Sequence, residues 1–310
     1  VNNRDRNFTS AKLKRRMEEI ESSINRYLAS LDAADRQVPS AAEPDAARLE
    51  EKIAKLKEQM KALQAIEIQL EASPDKQISL TDPDARSMMM TSGHGIVGYN
   101  VQTAVDTKHH LIVAHEVTNV GHDRDQLSSM AQQAREAMQS ESLSVVADRG
   151  YFKGEQILAR HDAGITAYVP KPMTSGAKAD GRFNNDAFIY DAAKNEYICP
   201  AGEALPWRFS SIEKGMNMHC YWSSKCQSCA LKTQCTPSTN RRVRRWEHEA
   251  VLEEMQRRLN QAPEMMRVRK RTVEHPFGTL KQWMGATHFL TRKLNGVRAE
   301  MSLNVLAYNL

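Results

Sequence analysis

The sequence has no uncharged apolar run approaching 18 residues, so a membrane-spanning helix is excluded. Its opening, VNNRDRNFTS, has no apolar core and does not read as a secretion signal. There is no initiating Met, and Val1 reads as a cut edge. Cysteine is scarce and odd in number: Cys199, Cys220, Cys226, Cys229 and Cys235. Without a secretion signal, that count points to free thiols or a metal site rather than a disulfide framework. A strong charge imbalance is missing too. The 43 basic and 38 acidic residues leave +5, which permits an anionic partner without demanding one. What is present is 310 residues, 41% hydrophobic and 26% charged. That describes a soluble chain of about two domains with room for a sizeable core.

Two segments carry heptad spacing. Leu13, Met17, Ile20, Ile24, Tyr27 and Leu31 recur at intervals of 4 and 3, as do Leu49, Ile53, Leu56, Met60 and Leu63, with Glu67 in the seam before Leu70. Pro39 and Pro44 separate them, so an antiparallel helical hairpin is expected. It is either an ordinary packed pair or a coiled-coil arm reaching a second subunit or DNA. Residues 71–97 read as linker. GYNVQTAVD and HLIVAHEVTN read as a β-hairpin joined by DTKHH. A helix over 124–139 with Asp123 as N-cap, the strand SLSVVAD, the helix GEQILARHDAG and the strand ITAYVP follow. That order gives a mixed α/β sheet covered by helices. Residues 173–245 read as irregular. Helical patterns follow over 246–260, 262–284 and 293–309, with Pro276 expected to kink or restart the second. The implied divisions are 1–97, 98–172, 173–245 and 246–310.

Asp148 ends an apolar strand, where sites in open α/β sheets are built, and is followed at once by Arg149 and Gly150. A carboxylate there suits Mg²⁺, and Arg149 suits a phosphate. The plainer alternative is a helix cap near Gly154. Glu274 shares a predicted helix face with Arg267, Lys270 and Lys281. Those cations would depress its pKa, as befits a metal ligand beside polyphosphate. The alternative is a salt-bridged surface helix.

ADRGY, TVEHPFGTLKQWM, GYNVQTAVDTKHHLIVAHEVTNVGHD and the closing RAEMSLNVLAYNL together resemble bacterial insertion-sequence transposases of the DDE class. The resemblance covers essentially the whole chain. It implies an RNase H-like fold with a five-stranded mixed sheet, and cut-and-join chemistry on DNA through three carboxylates and two Mg²⁺ ions. One ion would activate water at the element end; the other would stabilise the leaving 3′ oxygen, and the freed 3′-OH would attack target DNA. Asp148 matches the second Asp of the triad, Glu274 its Glu, and Lys281 the Lys seven residues on. Lys270 stands where relatives have Arg, and Arg267 where they have Tyr. The first Asp of relatives lies in a D-G-S/T-K segment, and VNNRDRNFT resembles what directly follows it. The expectation is therefore a chain that binds DNA but does not cut it. Asp106 is the remaining candidate, though a turn former at its position, and Asp123 and Asp125 read as caps. The resemblance also implies a homodimer on two DNA ends in a bacterial cytoplasm.

Cys226 and Cys229 form a C-x₂-C knuckle that Cys199 and Cys235 would complete as a Zn²⁺ site, leaving Cys220 spare. The alternative is a set of buried, inert thiols. RRVRRW (241–246) and RVRKR (267–271) are basic runs, read as phosphate contacts beside a nuclease site. Arg149, Tyr151, Arg267, Lys270, Arg271 and Lys281 are the expected DNA contacts. Trp246 and Trp283 read as core residues before base-stacking ones. Two rival functions stand beside the transposase: a catalytically silent DNA-binding remnant, and a zinc-dependent coiled-coil scaffold with no DNA role.

Overall fold

A computed structural model describes residues 4–34, 43–89, 95–172, 176–177 and 179–310. In chain order the elements are β1 (Asn7–Thr9), α1 (Ser10–Ala34), α2 (Glu43–Ala72), β2 (Gln77–Ser79), β3 (Arg86–Met89), β4 (Gly95–Gly98), β5 (Asn100–Val105) and β6 (Ile112–Thr118). Then come α3 (Leu127–Met138), β7 (Leu143–Val146), α4 (Gly154–Asp162), β8 (Ile165–Tyr168), β9 (Ile189–Asp191), β10 (Glu196–Ile198), β11 (Ala204–Glu213) and β12 (Met216–Tyr221). The chain closes with α5 (Lys232–Cys235), β13 (Val243–Trp246), α6 (Glu249–Gln261), α7 (Met265–Gly278) and α8 (Leu294–Asn309). No helix among the described residues is long and apolar enough to cross a membrane. Two compact units form, one from residues 1–103, 115–122 and 276–310, the other from 104–114 and 123–275.

In the first unit α1 and α2 pack along the expected seam. Leu13, Ile20, Leu63 and Leu70 are buried, with Met17, Ile24, Leu56 and Met60 against them. Ile66, not Glu67, joins this cluster. The β1–β2 pair ties the two helices together at one end, with Phe8 opposite Ile78. Because β1 leads into α1 and β2 follows α2, that pairing makes the helices antiparallel. Pro44 lies in the first turn of α2, where its missing N–H costs nothing. Pro39 is outside the described residues.

Residues 71–97 are more than linker where described. Asp82 and Asp84 accept the first amides of α8: Lys293 N at 3.1 Å and Leu294 N at 2.8 Å. Carboxylates at a helix N-terminus satisfy its orphan donors and complement its dipole. Glu300 then folds back to accept Leu290 N at 2.9 Å, Thr291 N at 2.9 Å and Thr291 Oγ1 at 2.6 Å. Partial burial raises the Glu300 pKa, but the Thr291 and Leu290 donors outweigh it and hold the carboxyl below its ordinary 4.5. A depressed carboxylate contributes stability above its unfolded-state pKa and loses it as pH falls through the folded value. Glu300→Gln is therefore expected to cost about 1–2 kcal/mol in urea unfolding at pH 7. The gap between the two proteins should close as the pH drops well below 4.5.

In the second unit β7 and β8 pair in parallel, Leu143 opposite Ile165 through Val146 opposite Tyr168. The α4 crossover between them is the expected strand–helix–strand. Ala147, Ile157, Ala167 and Val169 form the core there with Leu252 and Met255 of α6. The β5–β6 hairpin is also as expected, and Asp106 forms its turn by accepting Lys108 N and His109 N.

Four expectations are corrected. Residues 173–245 are not irregular: where described, they hold a five-stranded antiparallel sheet, β13-β12-β11-β10-β9. Among the described residues five strands form one sheet, and it is this antiparallel one, while β5–β6 and β7–β8 pair two by two; the architecture is mixed α/β and compatible with the expected RNase H-like fold. Asp123 is not the cap of α3, whose N-cap is Gln126. Pro276 does not restart α7. The helix runs to Gly278 and then loosens into a π-helical turn over Thr279–Trp283. Proline removes one ladder hydrogen bond, and a wider turn is one way to absorb the loss.

Candidate active site

Strand β7 ends at Val146, and the chain turns through Ala147 into a single 3₁₀ turn, Arg149–Tyr151. Asp148 caps that turn, its Oδ1 accepting Gly150 N at 2.8 Å. It is a cap, but of the turn that follows it immediately and not of the helix at Gly154. Its other oxygen accepts Arg269 Nη2 of α7 at 3.2 Å. The carboxylate thus stands at a strand end, partly open to solvent, against the helix that carries Glu274.

A side chain at Gly150 would displace the Asp148 carboxylate. A Cβ there would sit 2.9 Å from Asp148 Oδ1 and 3.4 Å from Asp123 Oδ2. Two carboxylates therefore converge over one glycine. Tyr151 lies beneath them, packed on the core. Its burial raises the phenol's pKa, and the charges of Asp123 and Asp148 push it further, against Arg269.

Glu274 is exposed on α7, as are Arg267, Lys270 and Arg271, while Thr272 and Pro276 are buried and Arg269 is partly so. On an α-helix Glu274 lies about 140° round from Arg269 and roughly 7.5 Å along. The helix face turned to Asp148 is thus the Arg269 face, and the Glu274 face carries the free cations. Among the described residues no three His, Cys, Asp or Glu side chains are gathered as a metal cage. Lys281 falls in the other compact unit, on the π-helical turn, so regular α-helical spacing does not extend to it. Its ammonium sits 5.7 Å from the Phe277 ring centre.

Arg149 is exposed and Tyr151 half-buried. The RRVRRW run is largely spoken for within the fold. Arg245 is buried and grips Glu253 with both guanidinium nitrogens, Arg244 meets Glu213 at 2.6 Å, and Arg241 and Arg242 lie over Phe188 and Trp222. Trp246 is core, as expected, but Trp283 is 87% exposed, against the expectation. Asp106 is occupied by the backbone of its own turn and by His109 Nδ1 at 2.9 Å. Asp125 pairs with Lys153.

The model of the transposase DDE domain family matches residues 72–310. The chain belongs to the DDE transposases. No curated protein and no solved structure matches it. The match begins where α2 ends, so the helical hairpin lies outside it. DDE transposases act on DNA and generally use a divalent metal ion, typically Mg²⁺.

The sequence reading missed Arg269 and Asp123. Arg269 could have been found from helix phase: it lies three residues before Thr272 and seven before Pro276, on the face those two bury. Asp123 carries no such local signal, because it comes close to Gly150 through a tertiary contact.

Proposed function

We propose that this protein acts on DNA at the ends of an insertion sequence, with Asp148 and Glu274 as two of the carboxylates of an Mg²⁺-dependent cleavage and strand-transfer site; whether this chain cuts or only binds is what nicking of a supercoiled plasmid separates. The observation that carries the reading is the docking of α7 on the Asp148 turn through Arg269. That contact supports the reading because α7 is also the helix that carries Glu274. Hard carboxylate oxygens fit Mg²⁺, and Asp148 is partly open to solvent, as such a ligand must be. The bound ion supplies Lewis-acid stabilisation of the attacking and leaving oxygens.

The chain's own residues bind and orient. Arg267, Lys270 and Arg271, exposed beside Glu274, take backbone phosphates, and Arg149 takes one next to Asp148. Lys270 contributes charge without the bidentate geometry an Arg would give. Arg269 offsets the Asp148 charge and holds its side chain on the α7 side. Taken by themselves in the other unit, the exposed Lys281 suits a phosphate and the open ring of Trp283 a base. Two DNA ends call for two such sites, hence a homodimer on DNA.

The metal site is tested without relying on turnover. Fe²⁺ replaces Mg²⁺, and ascorbate with peroxide then cuts the polypeptide beside the bound ion. Fragments ending near residues 148 and 274, suppressed by excess Mg²⁺, are expected. Cuts elsewhere, or none, would overturn the assignment.

A further inference from the structure

Four of the five cysteines converge although they come from three separate pieces of chain. Cys199 opens the C-P-A-G turn between β10 and β11, closed by Gly202 N donating to Cys199 O at 2.8 Å with Gly202 at φ +77°. Cys226 lies within the 3₁₀ turn Ser224–Ser228 and Cys229 is its C-cap, Cys229 N donating to Cys226 O at 3.4 Å. Cys235 ends α5. All four line one cavity of about 30 Å³, otherwise walled chiefly by Phe188, Leu205 and Leu231. That is a space for one small atom or ion, not for an organic ligand. Cys220 is elsewhere, buried in β12 opposite Phe209 and Arg244.

We propose that Cys199, Cys226, Cys229 and Cys235 bind a structural Zn²⁺ ion. The donor set is that of a closed tetrahedral site, and the C-x₂-C turn is the usual way for one short loop to give two ligands. Zn²⁺ displaces four thiol protons to the buffer, leaving a centre of net charge −2. The surroundings match that sign. Arg241 and Lys232 line the same cavity, and Arg241 Nε is a buried donor with no hydrogen-bond partner among the described residues. An N–H aimed at a thiolate is the outer-shell contact such sites use. The four sulfurs are not drawn into a cage. What the fold fixes is the backbone: two turns and a helix end around one hole. Cys199 and Cys235 also pack on the small core of the five-stranded sheet, beside Phe188, Leu205, Tyr221 and Val243. The ion would pin the sheet's loops to that core.

The test is the metal content of the full chain, purified under reducing conditions without added metal. About one zinc per chain is expected. Cys226→Ser with Cys229→Ser should remove it, and Cys220→Ser should leave it in place. Because misfolding of the double variant would mimic metal loss, Co²⁺ is also titrated into metal-free unaltered chain. Expected are the thiolate-to-cobalt and tetrahedral ligand-field bands, saturating at one equivalent and bleached by Zn²⁺. Zinc retained in the double variant, no cobalt–thiolate bands, or a Cys226–Cys229 disulfide under reducing conditions would each overturn the proposal.

Discussion

Asp148→Asn and Glu274→Gln are each expected to slow Mg²⁺-dependent strand cleavage by at least about 10³-fold, which is ~4 kcal/mol of transition-state stabilisation. Both substitutions keep shape and remove charge, so the loss falls on what the carboxylate holds. DNA affinity should stay within about two-fold, because it comes from basic side chains on phosphates and neither residue is basic. For Asp148 the sign is informative. Its Oδ2 accepts Arg269 Nη2 at 3.2 Å, so the amide frees a cation, and binding should strengthen if it moves at all. The measurement is nicking of a supercoiled plasmid bearing element ends, with a salt-titrated binding curve on the same protein. If the unaltered chain binds but never nicks, the catalytically silent remnant is the better reading. If it does not bind even at low salt, the scaffold is. Cleavage surviving in either variant removes that residue from the site.

Much of this was legible where periodicity is long. The helical hairpin follows from six seam residues per helix, and the β5–β6 turn from an Asp between two alternating runs. The one seam error, Glu67 for Ile66, arises because a strict 4–3 count drifts against a helix of 3.6 residues per turn. The five-stranded sheet was not legible. Two of its strands are three residues long, and a bulge between Trp207 and Phe209 breaks the alternation of β11. Trp207, Phe209 and Ile212 are moreover exposed, so the strand shows no clean buried face. At the site, the sequence pointed to charge but not to its orientation. RVRKR puts four cations within five residues, and only the helix phase separates Arg269, which meets Asp148, from Arg267, Lys270 and Arg271, which face solvent. Asp123 reaches the site through a tertiary contact that spacing does not encode.

Trp246→Ala should be the most destabilising single change in the second unit, costing about 3–5 kcal/mol as expected for a fully packed large aromatic. Trp246 ends β13, the edge strand of the five-stranded sheet, yet its ring belongs to the core of Ile157, Ala167, Val169 and Met255. With Met216 and Met218 of β12, it joins the sheet to the core around the β7–β8 pair. Gly154, the first residue of α4, is shaped to that ring: a Cβ there would lie 3.0 Å from its Cζ3. The backbone cannot yield easily at a helix start, so Gly154→Ala is expected to cost about 1–2 kcal/mol by overpacking despite alanine's better helix propensity. The pair gives a sharper test than either alone. Once the ring is gone the added methyl meets open space, so the double variant should be more stable than the sum of the single losses allows, by about 1 kcal/mol. Urea midpoints of the four proteins, read by far-ultraviolet circular dichroism so that losing an indole does not remove the probe, provide the comparison. Strict additivity would mean that Gly154 and Trp246 do not share a contact. A Trp246→Ala loss under about 1 kcal/mol would mean that the sheet is held to the core by something other than this ring.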